Sequence, residues 1–304
     1  MSRLRSAILA FTVSLSGCAQ HGQFHGPAGA QLDDDDVGQD DDAGDDDDHG
    51  DDDDDVEEVP GAEDDAAFLF GLDQVHHVEI ELPMESLQSL YTWPDEFTYD
   101  MPYDYVTGDV RIDGELVQDV AVRLKGRWGS YRGMGDKAAF KIDFNRFVPD
   151  QTFHGLEKLT LNNMVVDCTM AREVLALEVY RARGLVAPRA GYAWVTVNGE
   201  AYGVYSMIET LDDAFLRTHF DEAGGNLYEP EYVVYPDYSY TLVDFDQTTQ
   251  HLFALEEGQD VGLADVMAVT DALDVNEGTA HLYTELDQVL ELEQWVRLIS
   301  VEQW

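Results

Sequence analysis

The sequence predicts an α+β fold, and three observations point to it. From Val75 onward short apolar runs alternate with polar residues; two tight turns, Asp113-Gly114 and Asn198-Gly199, each join a pair of such runs; and one amphipathic helix lies between the two hairpins in the chain. Val78, Ile80 and Leu82 alternate with Glu79 and Glu81, the period of a half-buried strand. Residues 84–91 read as a short helix. Residues 106–112 and 116–124 flank Asp113-Gly114, a dipeptide that tolerates the positive φ angles of a two-residue hairpin turn. A glycine-rich stretch, Lys125-Gly126-Arg127-Trp128-Gly129-Ser130-Tyr131-Arg132-Gly133-Met134-Gly135, leads to a strand over 139–144. A helix is expected over 169–183, with Met170, Val174, Ala176 and Leu177 on its apolar face. Gly184 stands at its C-cap and Pro188 confirms the stop. Residues 192–197 and 201–208 form the second hairpin around Asn198-Gly199.

Beyond Ile208 the pattern turns mostly helical: 212–220, 244–255, 263–273 and 292 onward. The last helix carries Leu292, Trp295, Leu298 and Ile299 on one face and reaches Trp304 without a stop signal, which predicts a fragment or an early stop.

Charge narrows the functional classes. The 304 residues contain 17 Lys+Arg against 63 Asp+Glu, a net charge of −46, and residues 33–65 hold 21 of the acids with no Lys or Arg. Such a field repels nucleic acid and favours basic partners or divalent cations. Runs such as Asp33–Asp36 and Asp51–Asp55 repel one another and bury nothing, so residues 19–70 are expected to form an extended acidic tether. They lack the Gly and bidentate Glu of an EF-hand loop.

The N-terminus reads as an export signal over 1–18. Arg3 and Arg5 precede an apolar run over 7–13, too short to span a bilayer, and Leu15-Ser16-Gly17-Cys18 follows. This segment resembles a bacterial lipobox. The resemblance implies lipidation of Cys18 and, with Ala19 next to it, anchoring at the outer membrane or cell surface. Cys168, the second cysteine, is expected to be a core thiol outside any disulfide framework. The histidines, among them His76, His77 and His154, lack zinc-ligand spacing, so no metal site is predicted, and no Gly-x-Ser-x-Gly motif occurs.

An ordered set of segments carries a family resemblance: Val122-Arg123-Leu124-Lys125-Gly126, Phe140-Lys141-Ile142-Asp143-Phe144, Leu159-Thr160-Leu161-Asn162-Asn163, Met170-Ala171-Arg172-Glu173, Ala187-Pro188-Arg189, Val197-Asn198-Gly199-Glu200-Ala201-Tyr202-Gly203, Ile208-Glu209 and Asn226-Leu227-Tyr228. Together, from about residue 76 to the end, they resemble the CotH family of spore-coat-type proteins with an atypical protein-kinase fold. The resemblance implies a kinase-like smaller lobe over 71–209, built of antiparallel hairpins and one long helix, followed by the start of a helical larger lobe over 210–304.

It also implies ATP and magnesium as cofactors. Phosphoryl transfer depends chiefly on positioning phosphates and offsetting their charge. A flexible loop with Gly126, Gly129, Gly133 and Gly135 lets backbone N–H groups approach a phosphate. Lys141, central in the strand after that loop, takes the place of the phosphate-contacting lysine, and Glu173 that of its ion-pair partner; Lys125 and Arg123 rival Lys141 for the role, and Lys141 also reads as a solvated strand lysine. Arg172 and Arg189 read as structural ion pairs, with phosphate contact as the alternative. Asn162-Asn163 and the following Asp167 precede the helix, and Asp167 or Thr169 reads as its N-cap rather than as a catalytic group. Glu209 lies where the chain would cross between lobes, its backbone near an adenine edge.

In the family the catalytic and metal-binding Asp residues follow a helix like the last one here, so no catalytic residue is assigned and the chain is expected to be inactive alone. The implied activity is transfer of the ATP γ-phosphoryl group to Ser or Thr of a basic protein substrate. The alternative is a non-catalytic surface lipoprotein that uses the fold as a binding module, with Tyr91, Trp93, Tyr99, Tyr103 and Tyr105 as a contact patch.

Overall fold

Alternation along residues 75–81 commits every second side chain to an interior, and β1 (Val75–Glu81) buries His76, Val78 and Ile80 while its other residues face solvent. The computed structural model describes residues 65–98, 101, 103–127, 129–221, 224–234, 240–276 and 278–302. The Cys18 lipobox, the tether up to residue 64, Tyr99 and Trp128 lie outside the described residues.

After β1 comes helix α1 (Met84–Tyr91), then β2 (Val106–Ile112) and β3 (Glu115–Lys125), paired antiparallel across a turn in which Asp113 and Gly114 take φ of 48° and 91°. Strands β4 (Ala139–Asp143) and β5 (Lys158–Asn162), helix α2 (Arg172–Ala182), and strands β6 (Ala190–Val197) and β7 (Glu200–Glu209) follow. The seven strands close into a barrel in the order β1-β2-β3-β4-β5-β7-β6. All neighbours are antiparallel except β1 and β6, which run parallel from Val75↔Tyr192 to Ile80↔Val197. The expected hairpins are therefore present, but as parts of a closed barrel with one parallel seam. Its interior is filled by fully buried Ile80, Leu124, Phe140, Ile142 and Tyr205, and the Tyr205 hydroxyl donates to the Ala138 carbonyl at 2.6 Å.

Asn198, at φ 48° in the second turn, secures the seam. Its Oδ1 accepts from the Leu82 N–H at 2.6 Å, its Nδ2 donates to the Leu82 carbonyl at 2.9 Å, and its own N–H donates to the Ile80 carbonyl at 2.8 Å. One turn residue thereby satisfies the backbone where β1 ends.

Helix α2 begins three residues later than expected. The Asp167 carboxylate accepts from the N–H groups of Thr169 (2.9 Å) and Arg172 (2.7 Å), and Met170 sits at φ 55°, so the chain turns before it coils. Met170 is exposed rather than on the apolar face, which Val174, Leu177 and Tyr180 form. The predicted stop holds: Gly184 takes φ 70°, with the Leu185 N–H reaching the Tyr180 carbonyl at 3.1 Å. Cys168 is exposed, not a core thiol.

The expectation of a mostly helical region beyond Ile208 is corrected in part. Helices α3 (Asp213–His219), α4 (Ala264–Asn276), α5 (Leu282–Val289) and α6 (Leu292–Glu302) are present, and between α3 and α4 lie strands β8 (Leu227–Pro230), β9 (Tyr232–Val234), β10 (Tyr240–Leu242) and β11 (Phe253–Glu257). β8 pairs with β11, and β9 with β10, as antiparallel two-stranded sheets. The segment 244–255 fails as a helix because the Asp246 carboxylate accepts from the N–H groups of Thr248 (2.7 Å) and Thr249 (3.0 Å), drawing the chain into a turn. Phe253 is then buried in β11 against Tyr228 of β8.

Replacing Asn198 by Ala leaves the Leu82 backbone groups unpaired and puts a β-carbon residue without a polar side chain at positive φ. The expected cost is roughly 2–4 kcal/mol, read as a lower midpoint in urea unfolding at unchanged slope.

Candidate functional site

On β3, β4, β5 and β7 the residues that do not fill the barrel point outward on one continuous face. Register aligns them: Arg123 lies beside Lys141, Lys141 beside Thr160, Asp143 beside Lys158, and Asn162 beside Ser206. Helix α2 packs over part of this face through Val174 and Leu177 against Ala190 and Ile208, which brings Glu173 to its edge.

At that edge a chain of polar contacts forms. Lys125 donates its ammonium to Asn162 Oδ1, Asn162 Nδ2 donates to Glu173 Oε1 at 2.6 Å, and Ser206 Oγ donates to Glu173 Oε2 at 2.6 Å. Burial pushes the Lys125 amine down to about 8; Lys141 and Arg123 push the same way, and Glu173 and Glu229 oppose them.

Lys141 stands apart from this chain. Among the described residues its ammonium has no hydrogen-bond or ion-pair partner, and Glu173 is engaged by Asn162 and Ser206 instead. The expected Lys141–Glu173 ion pair is therefore not formed; strand position places Lys125, the rival, nearest that carboxylate. Burial holds Lys141 below the usual lysine range, helped by Arg123 and Lys158 and resisted by Asp212 and Glu256.

Lys158 was not singled out in the sequence, yet it organises the far end of the face. Its amine lies 3.6 Å from Glu257 and 3.8 Å from Asp212. Burial disfavours its charge, but Asp212, Glu257, Asp143 and Glu157 outweigh that and hold its pKa above the usual range. Asp212 caps α3, its Oδ1 accepting from the Phe215 N–H at 3.1 Å. Its Oδ2 and the Asp143 Oδ1 are buried without a hydrogen-bond partner in the described structure. Burial raises the Asp212 carboxyl to about 6, resisted by the Phe215 N–H and Lys158.

The glycine-rich loop is pinned rather than flexible. Asn163 Nδ2 donates to the carbonyls of Ser130 (3.0 Å) and Lys137 (2.8 Å), Tyr131 and Tyr202 donate their hydroxyls to Pro94 and Met134 carbonyls at 2.8 Å each, and Tyr103 donates to the Gly126 carbonyl. Gly126 is required where it stands: at φ 111°, a β-carbon would lie 2.9 Å from Tyr131 Cα. Gly129 takes φ 85°, where a β-carbon would lie in ordinary contact with Val166 Cγ1 at 3.9 Å, so conformation rather than space favours glycine there. Asn163 is thus a loop anchor, and Asn162 joins the polar chain. Of the two cap candidates neither stands at the N-cap, which is Ala171; Asp167 instead accepts from the Arg172 N–H at 2.7 Å and Thr169 Oγ1 from the Ala171 N–H at 3.3 Å.

Glu209 serves the fold. Its carboxylate pairs with Arg189 through Nε (3.0 Å) and Nη2 (2.6 Å), and with His219 Nε2 at 2.9 Å. Its own N–H donates to the Arg189 carbonyl at 3.0 Å, so that donor is not open to a ligand edge. Burial favours the neutral acid, but His219 and Arg189 outweigh it and hold Glu209 below the usual carboxylate range. Arg172, expected in a structural pair, lies 3.6 Å from Asp167.

In the aromatic patch, Trp93 packs edge-on against Tyr103 at 5.6 Å, and Arg123 lies over Tyr103 and Tyr105 at 5.4 and 5.3 Å. These rings pack against one another and against a cation of the same face.

The family of CotH kinase proteins matches residues 122–304 of this chain. That match begins within β3, so β1 and β2, which complete the barrel, precede it. Inner spore coat protein H of Bacillus subtilis (strain 168) is 31% identical over 88 residues, 29% of this chain and 24% of that protein. The matched stretch therefore spans about a quarter of the curated relative.

The Asp212 carboxyl titrates higher in the folded protein than the model-peptide value of 3.8, so the folded state binds the proton more tightly. Its contribution is full below pH 4 and lost as pH rises to about 6, on the order of 2–3 kcal/mol. Asp212→Asn keeps the cap and removes the titration. The difference in unfolding free energy between wild type and variant should change by that amount between pH 4 and pH 7 and stay level above it.

Proposed function

The chain belongs to the CotH kinase protein family, and on that footing we propose that it is a surface-anchored, CotH-like atypical kinase whose barrel serves as the smaller lobe of a kinase-like fold, with residues 210–304 beginning a larger one. The observation that carries this reading is Lys125: a half-buried cation at the base of the glycine-rich loop, coupled through Asn162 to Glu173 on helix α2, which packs over part of that face. A lysine on the sheet and a glutamate on the neighbouring helix are the parts a kinase uses to hold phosphates.

Residues on this face fit a polyphosphate. Lys125 and Lys141 supply positive charge in partly dry surroundings, where a charge contact is strongest. ATP, when bound, supplies the γ-phosphoryl group for transfer to Ser or Thr of a protein acceptor. Magnesium fits as a companion of the phosphates, because it keeps most of its waters and takes one or two carboxylates beside them; among the described residues no cluster of three or more ligating side chains gathers a metal alone. The described residues supply the nucleotide side, and none is assigned as the base. The strongly acidic chain suits a basic, Ser/Thr-rich substrate.

Cys18 in its lipobox setting supports a lipid anchor, and the spore-coat name of the Bacillus relative agrees with a location at a surface. A second reading, a non-catalytic surface module, is favoured by one observation. The groups that act on the lysines from beyond the barrel are themselves acids: Glu229, Glu256, Glu257 and Asp212.

Titration of Mg-ATP into the full chain by calorimetry separates the two readings. Binding is expected, with Lys125→Ala weakening it about 10- to 100-fold and Lys141→Ala weakening it less. A well-folded protein that takes up no Mg-ATP favours the module. For the anchor, Cys18→Ser should move the protein from the membrane fraction to the soluble one; retention in the membrane fraction would overturn the lipobox reading.

A further inference from the structure

A lysine and a glutamate that act together on a phosphate usually meet as a direct ion pair. Here an amide stands between them. Asn162 is the last residue of β5, aligned with Ser206 of β7, and its side chain emerges on the outer face between Lys125 of β3 and Glu173 of α2. Its orientation is dictated by its neighbours. An ammonium only donates and a carboxylate only accepts, so Oδ1 must face Lys125 and Nδ2 must face Glu173; the flipped amide would oppose donor to donor and acceptor to acceptor. Ser206 takes the second oxygen of Glu173 at 2.6 Å, which fixes the carboxylate and thereby the amide. The sequence signal was an Asn-Asn pair ahead of a helix; only the barrel register places Asn162 between the lysine and the glutamate.

We propose that Asn162 is the positioning residue of this site: it holds the Lys125 ammonium in place and transmits the charge of Glu173 to it without neutralising it. This rests on the reading of Lys125 as the phosphate-contacting lysine. The physical consequence is specific. A direct carboxylate partner would spend much of the lysine's charge before any phosphate arrived, whereas a neutral amide fixes the ammonium's position and leaves its charge available. The surroundings are consistent with a cation kept under tension. Burial, Lys141 on β4 and Arg123 on β3 all disfavour the charge of Lys125, while Glu173 on α2 and Glu229 on β8 favour it. Among the described residues, Asn162 on β5 is the hydrogen-bond partner of the Lys125 ammonium.

The test reads the Lys125 amine directly. The full chain is acylated with a dilute water-soluble anhydride across pH 6.5–10, and the extent of modification at Lys125 is followed by peptide mass spectrometry. Wild type should give a midpoint near 8. Asn162→Asp places a carboxylate against the ammonium and should raise that midpoint by about one pH unit or more. Glu173→Gln, which preserves the hydrogen bonds and deletes the charge, should lower it, and serves should the Asp variant fail to fold. An asparagine that does not hold the Lys125 ammonium would change stability and leave the Lys125 midpoint of Asn162→Asp at the wild-type value, and that result overturns the proposal.

Mg-ATP affinity measured over the same range gives the second arm. In wild type it should fall as pH rises through the Lys125 midpoint, and the fall should move upward with the amine in Asn162→Asp. If the midpoints shift as stated while no form binds Mg-ATP, the nucleotide reading fails and the hold of Asn162 on Lys125 stands. If Mg-ATP binds with a pH profile that Asn162→Asp does not move, the positioning role is refuted and the nucleotide reading survives.

Discussion

Closure of the seven-stranded sheet is the constraint on which the rest of the structure depends. Once β1 pairs with β6 in parallel, no strand of that sheet has a free edge, and the side-chain period of two forces a division at every position. Interior places go to residues such as Phe140, Leu161 and Met207, and their neighbours in sequence must face outward. Arg123, Lys125, Lys141 and Lys158 come to share one face for this reason alone. The barrel fixes where the cations stand before any pairing between charges is formed. Asn198 matters to the site through the same logic, since it secures the seam that keeps the barrel closed.

Electrostatics then divides that face into two ends. At one end Lys158 is surrounded by acids strong enough in number to hold its proton against burial. At the other, Lys125 is met by a neutral amide and by a carboxylate one residue further away, and burial prevails. Four carboxylates around one ammonium make a structural clasp between β5, α3 and β11; one amide standing before a single carboxylate leaves the ammonium less neutralised. In a chain of net charge −46, such a cation is protected from neutralisation only where packing limits which acids can reach it. Helix α2 does this by offering Glu173 alone at that edge and presenting apolar Val174 and Leu177 to the sheet.

Much of the fold was legible in the sequence because its signals are local. Asp113-Gly114 and Asn198-Gly199 adopt positive φ as their chemistry requires, and Gly184 ends α2 as a left-handed cap. Legibility failed where a side chain competes with the backbone, as Asp246 and Asp167 do when they draw N–H groups into turns. It failed again for β8 and β11, short strands whose partners lie about 25 residues apart in the chain. The strand and helix positions of the candidate residues were legible, and their pairing was misread. Lys141 and Glu173 were rightly placed on strand and helix, but register, which decides whether Lys125 or Lys141 faces the helix, depends on strands that the sequence pattern does not align.

By itself, the sequence determined the α+β class, the two hairpins, the acidic character and the family to which the chain belongs. These follow from residue type at short range: turn conformation, side-chain period and net charge. Tertiary structure alone decided that the sheet closes, that Asn162 stands between Lys125 and Glu173, that Glu209 is consumed by Arg189 and His219, and that Asp212 is buried with one oxygen outside any hydrogen bond among the described residues and 3.8 Å from the Lys158 amine. Each of those depends on which distant residues share a face, and that is set by strand register and helix packing rather than by the chemistry of any one segment.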